Sequence, residues 1–292
     1  MMPPFRSRSI RANGLDISYL DEGDGPAILL LHGFPDIATT FLPLLEHLVP
    51  SGYRCVAPWL RGYWPTNTGT YCDEGTLLAD AIALLQELEL APAFVIGHDW
   101  GADIAYGLAT ARPDLVRRVV AIAVPHTVAL RANRRRSYQQ LKRSFYVYLF
   151  QVPGLAESLL PADDWAFIRR LWRDWSPGWN PPRDHLTAVI ETLARPGVLT
   201  AALGYYRALF DPALRDPERR DLLDAVEAGP VAVPTLLLMG GNDGCVAPEM
   251  AEGAEQAFAA SYRTEVLQGV GHFLHLERPD LVSELVRSWL GT

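Results

Sequence analysis

Short apolar runs alternate with longer stretches of helical spacing along most of this chain. Residues 27–31, 53–58, 93–96, 119–124 and 233–239 are rich in valine, isoleucine, leucine and alanine. Runs of that length predict strands buried on both faces, as in a parallel sheet. Residues 15–20 alternate apolar and polar side chains like a strand with one wet face, and 262–267 forms the last strand. The turn cluster at 21–26 separates the first two of these strands. Apolar spacing of three and four predicts helices at 39–48, 74–90, 102–112, 248–259 and 279–290. Strands that alternate with helices imply a mostly parallel sheet covered by helices on both faces.

The rhythm breaks after Pro125. Residues 128–229 contain no strand-like run; they are rich in arginine, tryptophan and tyrosine and are interrupted by eight prolines from Pro153 to Pro217, Pro181 and Pro182 among them. This predicts several short helices inserted into the sheet domain. The expected organisation is 1–127 for the first part of the core, 128–229 for a helical cap and 230–292 for the rest of the core.

One stretch concentrates the chemistry. Gly97-His98-Asp99-Trp100-Gly101 joins the 93–96 strand to the following helix within three residues. So sharp a bend strains its central residue, and glycines two places either side let strand and helix pack that closely. The layout resembles the nucleophile elbow of the α/β-hydrolase fold, with Asp99 where an esterase would carry serine. A carboxylate is already ionised at neutral pH and needs no base to attack. Attack on an ester would give a mixed anhydride, a poor intermediate; attack on saturated carbon gives an alkyl ester. Asp99 therefore points to opening of a strained ring or displacement of a halide. The simpler reading is an aspartate that only caps its helix.

An alkyl ester needs a base to hydrolyse it. His272, in Gly269-Val270-Gly271-His272-Phe273, follows the last strand, and Asp243 follows the strand before it. Parallel strands bring both loops to the sheet end that carries Asp99. Asp243 would orient the imidazole and stabilise its charged form, and the chain order matches nucleophile, acid, base. His32-Gly33-Phe34-Pro35 ends another strand at that edge. The backbone N–H groups of Phe34 and Trp100 would form an oxyanion hole for the ester's carbonyl oxygen. His98 and His275 compete with His272 in sequence, but packing roles suit them better.

Composition narrows the setting. The 292 residues suffice for a full core, and 49% hydrophobic with 21% charged residues is ordinary for a globular protein. A net charge of −8 argues against nucleic-acid binding. Lys142 is the single lysine, and four arginines between Arg131 and Arg136 read as a solvated cap face. Cys55, Cys72 and Cys245 have no metal-ligand spacing and suggest free thiols in a reducing compartment; Cys245 reads as a small buried thiol. The polar, proline-bearing start (residues 1–10) lacks the apolar core of a signal peptide, and no segment reaches membrane-spanning length. A cytoplasmic protein without membrane contact is expected.

Together the elbow, the HGFP turn, Asp243 and His272 resemble the epoxide hydrolases of the α/β-hydrolase superfamily, over nearly the whole chain. That resemblance implies two cap tyrosines that donate to the epoxide oxygen. One precedes Phe150-Gln151-Val152-Pro153-Gly154 and corresponds to Tyr146; the other, in Gly204-Tyr205-Tyr206-Arg207, corresponds to Tyr206. Tyr148 and Tyr205 are rivals. The sequence departs from the family where Trp64-Pro65 follows Arg61-Gly62-Tyr63, so that a bulky ring could narrow the pocket rim, and where Gly204-Tyr205 replaces Asn-Trp. The implied reaction is hydrolysis of a small-molecule epoxide by water, with no cofactor and no metal. Two other readings share these residues: a haloalkane-type dehalogenase, to which Trp100 and the tryptophans Trp165, Trp172, Trp175 and Trp179 would be relevant, and a ligand-binding protein on this fold.

Overall fold

In the computed structural model, which describes residues 7–291, the apolar runs become the centre of one eight-stranded sheet. Its strands are β1 (Ser7–Ala12), β2 (Leu15–Glu22), β3 (Ala27–Leu31), β4 (Arg54–Pro58), β5 (Ala93–His98), β6 (Val116–Ile122), β7 (Thr235–Gly240) and β8 (Tyr262–Leu267). Their spatial order is β1-β2-β4-β3-β5-β6-β7-β8. β1 and β2 pair antiparallel, β2 meets β4 antiparallel, and every pairing from β4 to β8 is parallel. Every residue of β3, β5 and β7 is buried. Each buried leucine or isoleucine there contributes about 1.5–3 kcal/mol, which makes these strands the frame of the core.

The helices are α1 (Leu42–Leu48), α2 (Glu74–Glu87), α3 (Trp100–Ala111), α4 (Thr127–Arg134), α5 (Tyr138–Arg143), α6 (Phe145–Leu149), α7 (Leu155–Leu159), α8 (Ala162–Trp175), α9 (Arg183–Leu193), α10 (Val198–Phe210), α11 (Arg220–Ala228), α12 (Leu274–Glu277) and α13 (Pro279–Leu290). Against the sheet, α2, α3 and α11 pack on one another, and α1, α12 and α13 form a second group. From α4 to α11 the chain is wholly helical, an excursion between β6 and β7. Among the described residues no single helix is long and apolar enough to cross a membrane.

Two elements differ from the pattern-based expectation. Ser7–Ala12 forms an edge strand although it reads as polar; its outer residues face water, and β2 alone supplies its ladder. Residues 1–6 lie outside the described residues. The helix expected over 248–259 is instead two 3₁₀ turns, Pro248–Ala251 and Ala254–Ala257. Gly253 between them has φ +77°, which an α-helix cannot accommodate.

The insertion is bolted to the sheet at the loops after β7 and β8. The Trp175 carbonyl, at the end of α8, accepts the amide N–H groups of Gly244 and His272, both at 3.0 Å. A Cβ at Gly244 would collide with the Asp174 carbonyl, and one at Gly271 with the backbone of Ser176. Trp172 stacks on Phe273 with ring centroids 3.7 Å apart, and its indole N–H donates to the Pro35 carbonyl at 3.1 Å. The elbow is equally tight. A Cβ at Gly97 would fall on the Gly101 carbonyl, and one at Gly101 on the Leu31 carbonyl. Gly97→Ala or Gly101→Ala is therefore expected to cost about 3 kcal/mol or more, since backbone must move. Gly253→Ala, at an open site, should cost about 1 kcal/mol. Chemical denaturation of the three variants measures the difference.

Candidate active site

The geometry at the end of β5 follows from backbone strain. Asp99 has φ +53° and ψ −118°, a conformation a non-glycine residue holds only where its surroundings enforce it. The Gly97–Gly101 approach supplies that enforcement and lifts the carboxylate off the sheet edge. Gly33 is close by for the same reason: a Cβ there would strike the Asp99 carboxylate. The Phe34 amide donates to Asp99 Oδ1 at 2.8 Å. Trp100 is the first residue of α3, so its amide has no helical acceptor.

The other oxygen, Oδ2, lies 3.6 Å from His272 Nε2. His272 Nδ1–H donates to Asp243 Oδ2 at 2.8 Å, and Asp243 Oδ1 accepts the amides of Cys245 (2.6 Å) and Val246 (2.8 Å). All three side chains are buried, and Nε2 of His272 has no hydrogen-bond partner. Burial alone would lower the pKa of His272. The carboxylates of Asp243 and Asp99 outweigh it and hold the imidazole at about 10, so it is charged at neutral pH. Behind it, His98 Nε2–H donates to the His272 carbonyl at 3.1 Å.

Both tyrosines implied by the resemblance, Tyr146 and Tyr206, line one cavity with Asp99 and Trp100, a space of about 120 Å³. Their rings are 5.8 Å apart, and Phe34, Phe150 and Trp100 pack edge-on around Tyr206. The Tyr206 hydroxyl is buried without a partner, and that of Tyr146 lies 3.3 Å from Cys245 Sγ. Burial pushes both phenols well above 10, so they remain protonated donors. Tyr205 turns away and donates to the Arg61 carbonyl at 2.6 Å, while Tyr148 is exposed against Phe210.

A family model for the α/β hydrolase fold matches residues 26–279. Human epoxide hydrolase 4 is 31% identical over 291 residues, covering 96% of this chain and 77% of its own. Epoxide hydrolase A of Mycobacterium tuberculosis is 28% identical, covering 97% and 96%. The crystal structure of an epoxide hydrolase from Vigna radiata superposes with a TM-score of 0.82 at 25% identity and 98% coverage of both chains. The chain belongs to the α/β-hydrolase fold family, in its epoxide hydrolase-like branch.

Several features of this hydrolase depart from what its sequence suggests. Trp64 does not narrow the cavity; it is half-exposed with Arg195 over its ring at 5.4 Å. Of the insertion's tryptophans, Trp172 and Trp175 dock on Phe273 and His272, and none of Trp165, Trp172, Trp175 and Trp179 lines the cavity. Arg131, Arg135 and Arg136 are solvated as expected; Arg134 is half-buried, and it and Arg131 also border the cavity. Sequence reasoning also misses Asp103, which lines the cavity one turn after Asp99. Its position at i+4 on the same helix face was the available signal. Glu277 is missed too. It accepts the Gly271 amide at 3.0 Å and the Ser176 hydroxyl at 2.6 Å, tying the His272 loop to the insertion.

Among the described residues, two buried trios bring possible ligand atoms within 4.8 Å of one another: Asp243, Cys245 and His272, and Asp36, His98 and His275. In the first, both carboxylate oxygens already accept hydrogen bonds. In the second, Asp36 is held by His185 at 2.7 Å and by Thr40 at 2.6 Å. Both trios are explained by hydrogen bonding.

The two carboxylates around His272 make a graded prediction. Asp99→Asn should lower its pKa from about 10, and Asp243→Asn, which removes the larger attraction, should lower it further. Imidazole NMR titration reads both shifts. A titration unmoved by either substitution contradicts the shared ion-pair geometry.

Proposed function

We propose that this enzyme converts an epoxide to a vicinal diol through a covalent ester on Asp99. The observation that carries the reading is one cavity lined by a strained, buried carboxylate and two buried tyrosine hydroxyls. An opening epoxide develops negative charge on its oxygen, and phenols held protonated at neutral pH can donate to it. The helical insertion, which supplies both tyrosines, works in this scheme as the cap.

In the first half-reaction Asp99 Oδ2 bonds to a ring carbon as that carbon's bond to oxygen breaks. The electron pair goes to the epoxide oxygen, which takes a proton from Tyr206 or Tyr146. The product is a neutral hydroxyalkyl ester, and Oδ1 becomes its carbonyl oxygen beside the Phe34 amide. His272 then returns a proton to the tyrosinate. Loss of the Asp99 charge removes one of the two carboxylates that hold this proton on the imidazole. Alkylation thus converts His272 from a charged partner into a neutral base.

In the second half-reaction His272 takes a proton from water, with Asp243 stabilising the imidazolium, and the hydroxide attacks the ester carbon. The amides of Phe34 and Trp100 would hold the oxyanion. Collapse breaks the bond from the acyl carbon to the alkoxy oxygen, which leaves with the remaining water proton. Asp99 is again a carboxylate, His272 is again charged, and the sum is epoxide plus water to diol. A cytoplasmic setting accords with the three thiols Cys55, Cys72 and Cys245, all unbonded to one another.

Loss of the base should stall the cycle at the ester. His272→Gln incubated with a panel of epoxides is expected to gain the full mass of one epoxide by intact-protein mass spectrometry, and Asp99→Asn to gain nothing. A gain only from haloalkanes, equal to the alkyl group without halogen, would overturn the reading in favour of a dehalogenase. Tyr206→Phe and Tyr146→Phe should each lower kcat about 10- to 100-fold, and together about 10³-fold, since either phenol can still donate when the other is removed. Steady-state rates on one epoxide test this; equal rates in wild type and double variant would remove the tyrosines from the mechanism.

A further inference from the structure

The insertion between β6 and β7 carries an apolar face that neither its packing nor the reaction uses. Ten of the thirteen large hydrophobic side chains exposed among the described residues lie between Tyr138 and Leu214. Five of them, Tyr138, Leu141, Phe145, Tyr148 and Val152, follow spacings of three, four, three and four residues along α5, α6 and the turn after them. That is one side of a helix. Ser144, the single residue between α5 and α6, does not reset the period; its amide still donates to the Gln140 carbonyl at 2.9 Å. Gln140, Val147 and Phe150 on the other side are buried, and Gln140, Tyr146 and Val147 line the cavity that holds Asp99. The helix pair thus has its inner side on the cavity and an apolar outer side in water. Phe210, exposed at the end of α10, widens the stripe beside Tyr148, with ring centroids 6.0 Å apart.

Charge selects the occupant. Between Asp114 and Glu157 the sequence has no acidic residue, while residues 126–156 hold Arg131, Arg134, Arg135, Arg136, Lys142 and Arg143. Glu157 itself is taken by Arg207 at 2.7 Å. Arg135, Arg136 and Lys142 are exposed. The two arginines stand just before the stripe begins, and the Lys142 ammonium lies 5.9 Å over the Tyr138 ring. Apolar and aromatic side chains flanked by arginine and lysine suit an anionic bilayer: the rings enter the headgroup layer and the cations stay with the phosphates. A second copy docked by a twofold axis would instead press Arg135, Arg136 and Lys142 against the same three residues. A coiled-coil partner would need the spacing sustained over several heptads, and the stripe ends at Val152 after two.

We propose that the outer side of α5 and α6 is a peripheral docking surface for an anionic lipid bilayer. The sequence reads as free of membrane contact because no segment is long enough to span, but a surface that lies on a bilayer needs no such segment. Cavity and bilayer then stand on the two sides of the helix that carries Tyr146, about 10 Å apart. The surface takes no part in bond making, and the proposal does not depend on which reaction Asp99 performs.

Co-sedimentation of the whole chain with vesicles tests it, with pure phosphatidylcholine set against an equimolar mixture with phosphatidylglycerol. The chain's net charge of −8 repels it on average from anionic vesicles, so only an oriented basic face yields a preference for them. Wild type should partition about tenfold more strongly to the mixture, and less so at high ionic strength. Tyr138→Ser with Phe145→Ser should lower partition to the mixture about tenfold, and so, separately, should Arg135→Gln with Arg136→Gln and Lys142→Gln. Both sets change exposed side chains, and unchanged thermal unfolding certifies that each variant is folded. Trp64→Ser, exposed outside the insertion, should leave partition at the wild-type value. No preference for the mixture in wild type, or full binding by either folded variant set, overturns the proposal. A dimer in sedimentation velocity that Tyr138→Ser with Phe145→Ser abolishes also overturns it and gives the face to a second copy.

Discussion

The backbone of Asp99 is the constraint on which the rest of this molecule depends. Its positive φ is held because strand β5 and helix α3 approach until Gly97 and Gly101 touch through backbone atoms, with the Leu31 carbonyl behind them. No side chain larger than hydrogen fits either position. The strain is repaid by burial of the whole central sheet, where β3 and β5 are fully covered. With the bend so fixed, one carboxylate oxygen meets the Phe34 amide and the other faces His272.

The second organising contact is between the helical insertion and the loops after β7 and β8. The Trp175 carbonyl serves both loops at once, Trp172 stacks on Phe273, and Glu277 reaches Ser176 and Gly271. These contacts couple the element that carries Tyr146 and Tyr206 to the residues that carry the proposed acid and base. They also explain the tryptophans as docking surfaces rather than as a halide cradle. Buried aromatic faces of that size contribute several kcal/mol, enough to keep the insertion seated.

Charge in this dry site is arranged by pairing and by neutrality. His272 is held charged between two carboxylates, the phenols are kept protonated by burial, and burial beside Glu74 and Asp99 pushes the Asp103 carboxyl well above its usual range. The imidazole and the phenols are therefore in the protonation state in which they can donate. The one proposed change of state, at His272, is tied to loss of the Asp99 charge and so to progress of the reaction.

Much of this was legible in one dimension. The strand rhythm, the elbow, the HGFP turn and the order Asp99, Asp243, His272 depend on local periodicity and on chain direction: parallel strands bring their following loops to one edge whatever else the chain does. The helical insertion was legible only as helical. Adjacent Tyr205 and Tyr206 differ by about 100° around α10, and only the packing against Phe34, Phe150 and Trp100 decides which one meets the cavity. Arg131 and Arg134 border the cavity from α4, whereas Arg135 and Arg136 follow the end of that helix, although in sequence they form one basic run. Ser7–Ala12 is a strand because β2 offers it a ladder, and the 248–259 segment breaks because Gly253 takes a left-handed turn. Sequence alone determined the sheet, its edge and the residues brought to that edge, because strand direction and backbone sterics are local. Tertiary structure alone decided which side chains of the insertion face them, because helix rotation is set by long-range packing.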